Sequence, residues 1–198
     1  MSIWLIRHGK TEANERHLYC GSTDLPLSPL GRAELRDIHY GIENPRFLTS
    51  GMKRTEETLA LLFGAVPHDQ DPAFREVDFG VFEMRSYEEL KDTPAYRAWL
   101  TGDNEANIPP QGESGAQMTR RVLDAFAQLK DGTVLITHGG VIAAIMGHLF
   151  PQEQKTRYGW QPSPGSGYEI DGNTYRALPA PPPEGPSDGS RSAHFFSL

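Results

Sequence analysis

The run Ser2-Ile3-Trp4-Leu5-Ile6-Arg7-His8-Gly9-Lys10-Thr11 sets an arginine, a histidine and a glycine directly after a short apolar stretch. Four or five apolar residues are too few for a membrane span or for the core of a signal sequence, so the stretch reads as a buried β-strand. The same unit, an apolar run followed by a polar turn and a helical pattern, recurs downstream. Residues 47–50 read as a second strand, followed by a helix over Lys53–Phe63 with Leu59, Leu62 and Phe63 as its apolar residues. Residues 133–137 form a β-branched run that ends at His138-Gly139-Gly140 and leads into a helix over 141–150. Strands alternating with helices predict an α/β fold, a three-layer α/β/α sandwich around a largely parallel sheet.

Cap signals place the remaining helices. Ser28-Pro29 is an N-cap followed by proline at the first helical position, and Leu30, Ala33, Ile38 and Ile42 continue it as an apolar stripe. Ser86-Tyr87-Glu88-Glu89 and Ser114-Gly115-Ala116-Gln117 have the capping-box form, each opening a helix. Pro94 interrupts the first of these, and Tyr96, Trp99 and Leu100 suggest a second short helix. The second box opens a helix carrying Val122, Leu123, Phe126 and Leu129, after a loop over 103–112 that contains Pro109-Pro110. Residues 157–161, 167–170 and 174–177 read as short strands, the last two joined by the turn Asp171-Gly172-Asn173. Residues 1–178 are therefore expected to form one domain with a lid insertion around 84–112. Residues 179–198, rich in Pro, Gly and Ser, are expected to form a disordered tail.

Of the 198 residues 37% are hydrophobic and the net charge is −7, with no block of Lys or Arg. That balance argues against nucleic acid or an anionic membrane as a partner. One cysteine, Cys20, permits no intrachain disulfide, and a cytoplasmic location is the simplest reading. An acidic protein that binds an anion must concentrate positive charge locally, so clusters of Arg and His carry information here.

In open α/β sheets ligands bind beyond the C-terminal ends of the strands. Arg7 and His8 follow the first strand, Arg54 stands in the first turn of the helix after the second, and His138 follows the strand over 133–137. If these strands are neighbours, the four side chains converge on one small volume. Helix N-termini and guanidinium groups suit that volume to a phosphate. The glycines beside both histidines allow a backbone or a ligand to come close. Each residue taken alone has a plain structural reading: a capping pair, an exposed helix arginine, a hydrogen-bonded turn histidine, a surface glutamate. The convergence at three strand ends is what favours chemistry.

Arg7-His8-Gly9-Lys10-Thr11, with Glu12 and Asn14, resembles the signature of the histidine phosphatase superfamily, which includes the cofactor-dependent phosphoglycerate mutases. The resemblance continues through Leu25-Pro26-Leu27-Ser28 with Gly31, Lys53-Arg54-Thr55 with Thr58, and Glu76-Val77-Asp78-Phe79-Gly80 with Glu83. It ends with Gly112-Glu113-Ser114 and Thr137-His138-Gly139-Gly140. It implies a phosphoglycerate mutase-like fold and a phosphomonoesterase in which His8 attacks phosphorus and briefly carries the phosphoryl group. Arg7, Arg54 and His138 would bind the non-bridging oxygens, and Glu76 would protonate the leaving alcohol and then activate water. Glu83 ranks second for that acid role. Asn14, Cys20, Gly21, Glu83 and Gly139 complete the expected substrate-binding set.

The chain departs from the family pattern near the expected leaving group. Gly51 stands where a proline is usual, Phe82-Glu83-Met84 replaces Trp-Glu-Gly, and Gln111 stands where a glycine is frequent. Mutases of the family carry adjacent arginines in a longer insertion after the acid. Here the sole Arg-Arg pair, Arg120-Arg121, lies in the following helix, which favours water as acceptor. The mutase remains the second reading and an inactive phosphate-binding protein the third. The length and Phe74-Arg75-Glu76 resemble bacterial α-ribazole phosphatases, so a small ester such as α-ribazole-5'-phosphate is a candidate substrate. Arg85, Tyr87, Tyr96, Arg97 and Trp99 of the lid are expected to set the choice. Trp160 and Tyr168 read as core or rim aromatics. Gly9-Lys10-Thr11 is not a P-loop, because position four is Trp4. His17, His39, His68, His148 and His194 show no metal-ligand spacing with one another or with Cys20, so neither metal nor organic cofactor is implied. Oligomeric state is not readable.

Overall fold

In the computed structural model, which describes residues 1–103 and 105–179, six strands form one sheet. They are β1 (Ser2–Arg7), β2 (Arg46–Thr49), β3 (His68–Gln70), β4 (Thr133–Thr137), β5 (Gly167–Asp171) and β6 (Thr174–Ala177). The order is β3-β2-β4-β1-β5-β6. The first four are parallel, while β5 runs antiparallel to β1 and β6 to β5. The helices are α1 (Glu12–Glu15), α2 (Pro29–Leu35), α3 (Lys53–Phe63), α4 (Tyr87–Leu90), α5 (Pro94–Leu100), α6 (Gly115–Phe126), α7 (Gly139–Leu149) and α8 (Arg157–Trp160).

Period-two alternation along the central strands sends side chains to both faces. Ile3, Leu5 and Leu135 pack with residues of α6 and α7, such as Val122 and Ile142. Ile6, Val134 and Ile136 pack against Leu35 of α2 and Leu59 and Leu62 of α3 on the other face. The expected three layers follow from this division. Trp160 and Tyr168 belong to the core.

Both capping boxes are present, at Ser86 with Glu89 and at Ser114 with Gln117. Several element expectations need correction. Residues 157–161 are not a strand: Thr156 caps α8 by accepting from the Gly159 N–H, and the alternation of Tyr158 and Trp160 imitates a strand. α2 ends at Leu35, so Ile38 reaches the core from beyond the helix. α7 begins two residues early, with Gly139 and Gly140 inside its first turn. α1, the polar β3 and the 3₁₀ turns Pro72–Phe74 and Gly80–Phe82 have no periodic signal. Among the described residues no helix is long and apolar enough to cross a membrane. Of the tail expected over 179–198, all but Pro179 lies outside the described residues.

Candidate active site

Strand register assembles the first part of the site. Arg7 pairs with Thr137 across β1 and β4, and Thr49 pairs with Ile136 across β2 and β4. His8, His138 and Ser50 therefore leave three adjacent strand ends side by side. The His8 N–H donates to the Thr137 carbonyl at 2.9 Å, and the two imidazoles meet edge-on with centroids 5.1 Å apart.

His8 Nδ1 lies 2.7 Å from its neighbour's carbonyl, Gly9 O. A carbonyl only accepts, so Nδ1 carries the proton and Nε2 keeps its lone pair. Burial, then the Arg54 and Arg7 charges, holds the ring's pKa well below its usual 6.5. The imidazole is neutral at neutral pH and able to act as a nucleophile. Thr58 Oγ1 accepts from the Gly9 N–H at 3.0 Å and so secures this turn to α3.

Arg7 and Arg54 are 6% and 1% exposed. Arg54 donates to the carbonyls of Gly21 at 2.7 Å and Thr23 at 2.8 Å, and through Nε to His138 Nδ1 at 3.3 Å. His138 completes its bonds through Nε2 to Ser50 Oγ at 2.8 Å. An arginine only donates, so His138 accepts at Nδ1 and donates from Nε2. Burial and the Arg54 charge keep it in this neutral form. Arg7 donates from Nη1 to Pro162 O at 2.9 Å, while its buried Nε has no partner among the described residues. Neither guanidinium has a carboxylate within ion-pair distance among the described residues, although a buried charge is expensive unless paired. That imbalance is what an anion would relieve.

Glu76 approaches from the other side. Its carboxylate accepts from the N–H of Gly140 at 2.8 Å, in the first turn of α7, and from Val77 at 3.0 Å. A Cβ on Gly140 would fall 2.3 Å from Glu76 Oε1, so only glycine lets the acid reach this helix end. Glu76 borders a cavity of about 50 Å³ walled by Phe79, Trp99 and Tyr158. A larger hollow of about 410 Å³, at Arg46, Phe47 and Thr133, lies at the opposite edge of the sheet from His8.

The other expected residues are engaged within the protein itself. Glu83 accepts from the N–H groups of Gly21, Ser22, Thr23 and Phe79 and from the Thr23 hydroxyl. It pins the 20–24 loop and does not border the cavity. The Asn14 amide oxygen accepts from Thr11 N and Oγ1, closing the cap of α1. Cys20 Sγ reaches Thr23 O at 3.6 Å, and burial pushes the thiol up to about 11. Gly21 lies so close to Val77 O that a Cβ would stand 1.6 Å away, and Gly139 packs against the Arg7 guanidinium. Of the five lid residues expected to set the substrate choice, only Trp99 borders the cavity. Arg97 is exposed and bound to Asp92 and to Lys91 O, Arg85 to Glu89 O, and Tyr96 is buried against Tyr19. Sequence reasoning gave no role to Ser50 or Arg121, single polar residues with no pattern around them, and it quoted Thr58 in the resemblance without assigning it a task.

The fold and this cluster define an α/β protein with two buried guanidinium groups and two neutral histidines gathered at the C-terminal ends of parallel strands. A family model described as "Histidine phosphatase superfamily (branch 1)" matches residues 3–177. The chain is 31% identical over 184 residues to the adenosylcobalamin/alpha-ribazole phosphatase of Salmonella typhimurium (strain LT2), covering 86% of this chain and 90% of that one. Its identity to the enzyme of that name from Escherichia coli (strain K12) is 29%, with 87% and 91% covered. The solved structure of a phosphoglycerate mutase from Thermus thermophilus superposes with a TM-score of 0.75 at 30% identity, covering 91% of this chain and 99% of that one. The chain belongs to the histidine phosphatase superfamily, and its class of activity is that of a phosphatase.

Proposed function

We propose that this chain is a metal-independent phosphomonoesterase that passes the phosphoryl group through His8. The observation that carries the reading is the pair of buried guanidinium groups, Arg7 and Arg54, left without a carboxylate beside a neutral imidazole. Arg7 Nε and the N–H groups of Arg54 not engaged by protein hold the non-bridging oxygens. His138 holds Arg54 in place and donates to phosphate only by exchanging its Ser50 bond.

In the first step His8 Nε2 forms a bond to phosphorus while the ester P–O bond breaks. The leaving oxygen takes its electron pair and the proton of Glu76. That proton is the one Glu76 takes from water in the second step of the preceding turnover. In the second step water attacks the phosphohistidine, Glu76 takes the water's proton, and the P–N bond returns its electrons to Nε2. The substrate is a small phosphate ester, and α-ribazole-5'-phosphate is the first candidate: two relatives are named adenosylcobalamin/alpha-ribazole phosphatase, and the cavity beside Glu76 has aromatic walls.

The alternative is a phosphoglycerate mutase, the name of a structural relative. A mutase needs cations for the substrate carboxylate, yet the arginines near this cavity are already paired, Arg121 with Glu113 and Arg157 with Glu105. Phosphate release from a panel of small esters, without added metal, tests both readings on wild type and His8→Ala. We expect release by the wild type and a loss of at least about a thousandfold in the variant. Equal release by both overturns the reading. Isomerisation of a phosphoglycerate without release selects the mutase, and silence in both assays leaves a phosphate-binding protein.

A further inference from the structure

Glu76 lies in irregular chain between two 3₁₀ turns, where no helix or strand ladder fixes the backbone. Yet every carbonyl from Ala73 to Glu76 is held from outside. Arg121, on α6, donates from Nη1 to the carbonyls of Ala73 and Arg75, each at 2.8 Å, and from Nη2 to that of Glu76 at 3.1 Å. The intervening carbonyl, Phe74 O, accepts from Thr137 Oγ1 at 2.8 Å. The other two N–H groups of Arg121 go to Glu113, Nε to Oε1 at 2.8 Å and Nη2 to Oε2 at 2.7 Å. All five donors of the guanidinium are in use. Three grip the acid-bearing backbone, and two meet a carboxylate that fixes the guanidinium plane. The Glu113 N–H in turn donates to Asp78 O at 2.8 Å, so the clamp holds both sides of Glu76. A lysine has three donors at most and no plane, and it cannot reproduce this geometry.

We propose that Arg121, with Glu113 behind it, is a positioning residue for Glu76. It holds the backbone of residues 73–76 so that the carboxyl stands between the Gly140 N–H and the leaving oxygen. The proposal rests on Glu76 being the general acid. It follows that loss of Arg121 harms an ester in proportion to the leaving group's need for a proton. An alkoxide cannot leave without one, whereas 4-nitrophenolate can.

The test compares kcat/KM for the best alkyl phosphate of the panel with that for 4-nitrophenyl phosphate, in wild type, Arg121→Lys, Glu113→Gln and Glu76→Gln. A displaced catalytic group costs about a hundredfold, so Arg121→Lys is expected to lose about that much on the alkyl ester. Its loss on the nitrophenyl ester is expected to stay within about threefold, since that reaction does not use the displaced group. Glu113→Gln shifts the same ratio by about tenfold, and it carries the test if Arg121→Lys fails to fold. Equal losses on both esters, or none on either, overturn the proposal. If Glu76→Gln itself fails to discriminate between the esters, the general-acid reading falls. Discrimination in Glu76→Gln but not in Arg121→Lys or Glu113→Gln removes only the positioning role.

Discussion

The two halves of the site are built differently. His8, Arg54 and His138 stand at strand ends or in the first turn of a helix, buried, with register and core packing deciding where they point. Glu76 and the walls of its cavity stand on turns and short helices, held by single polar side chains such as Arg121 and Glu83. The departures from the family pattern at Met84 and Gln111 flank this second half, and Gly51 lies just before α3. A phosphate group is the same in every substrate of such an enzyme, while leaving groups differ. On the function proposed above, the half set by strand register would meet the constant part of the substrate, and the half held by individual side chains would meet the variable part.

The sharpest way to break this contrast is pH. His8 and His138 are buried neutral, each held well below the ordinary value of 6.5. Below about pH 6.5 the unfolded chain binds protons that the folded one refuses, so stability falls as pH drops until the folded values are reached. Above that pH both states are neutral and the pair contributes nothing. Each histidine is worth up to about 1.4 kcal/mol per pH unit across that window. Exposed His68, raised by its bond to Val66 O and by Glu56, works weakly in the opposite sense. Urea unfolding at pH 7 and 5.5 is expected to show the fall in wild type and a smaller fall in His138→Gln. An identical fall in both would mean that the phosphate end is open to water.

The same contrast decides what the sequence can convey. Arg7, His8 and His138 are legible because apolar runs mark strands, and ligands gather where parallel strands end. Arg54 is legible from its place one residue into a helix. Nothing periodic announces Arg121 gripping three carbonyls or Ser50 meeting His138. Proximity to Glu76 suggests Glu83 as an acid, but spacing cannot reveal four backbone N–H groups folding onto it. α8 reads as a strand because Tyr158 and Trp160 alternate, although Thr156 is a cap signal in plain view.

If the rim governs choice and leaves the chemistry to His8, Trp99→Leu is expected to reorder the panel. A lost pocket contact of this size shifts relative kcat/KM among esters by about tenfold. Arg97→Ala is expected to do nothing, because that side chain is bound to Asp92 and Lys91 O, away from the cavity. A panel measured with both variants decides. An unchanged ranking in Trp99→Leu would return the choice of substrate to the phosphate end.

The smallest effect concerns backbone strain on the rim. Met84 and Gln111, which replace glycines of the family pattern, adopt φ of 59° and 65°, a left-handed conformation that still suits glycine. Gly51, where the pattern has proline, has φ of 75°, which a proline ring forbids. A side chain in the left-handed region costs about 1–2 kcal/mol, and the extra unfolded freedom of glycine offsets roughly 0.5–1 kcal/mol of that relief. Gln111 is exposed and loses little by truncation, so Gln111→Gly is expected to gain up to about 1 kcal/mol, or about 2–4 °C in Tm. Met84 is half-buried, and its lost packing cancels most of the gain in Met84→Gly. A lower Tm for Gln111→Gly would mean that its side chain supports the turn between Pro110 and Gly112. The rim would then be held by contacts in the manner of the phosphate end, and the contrast between the two halves would narrow.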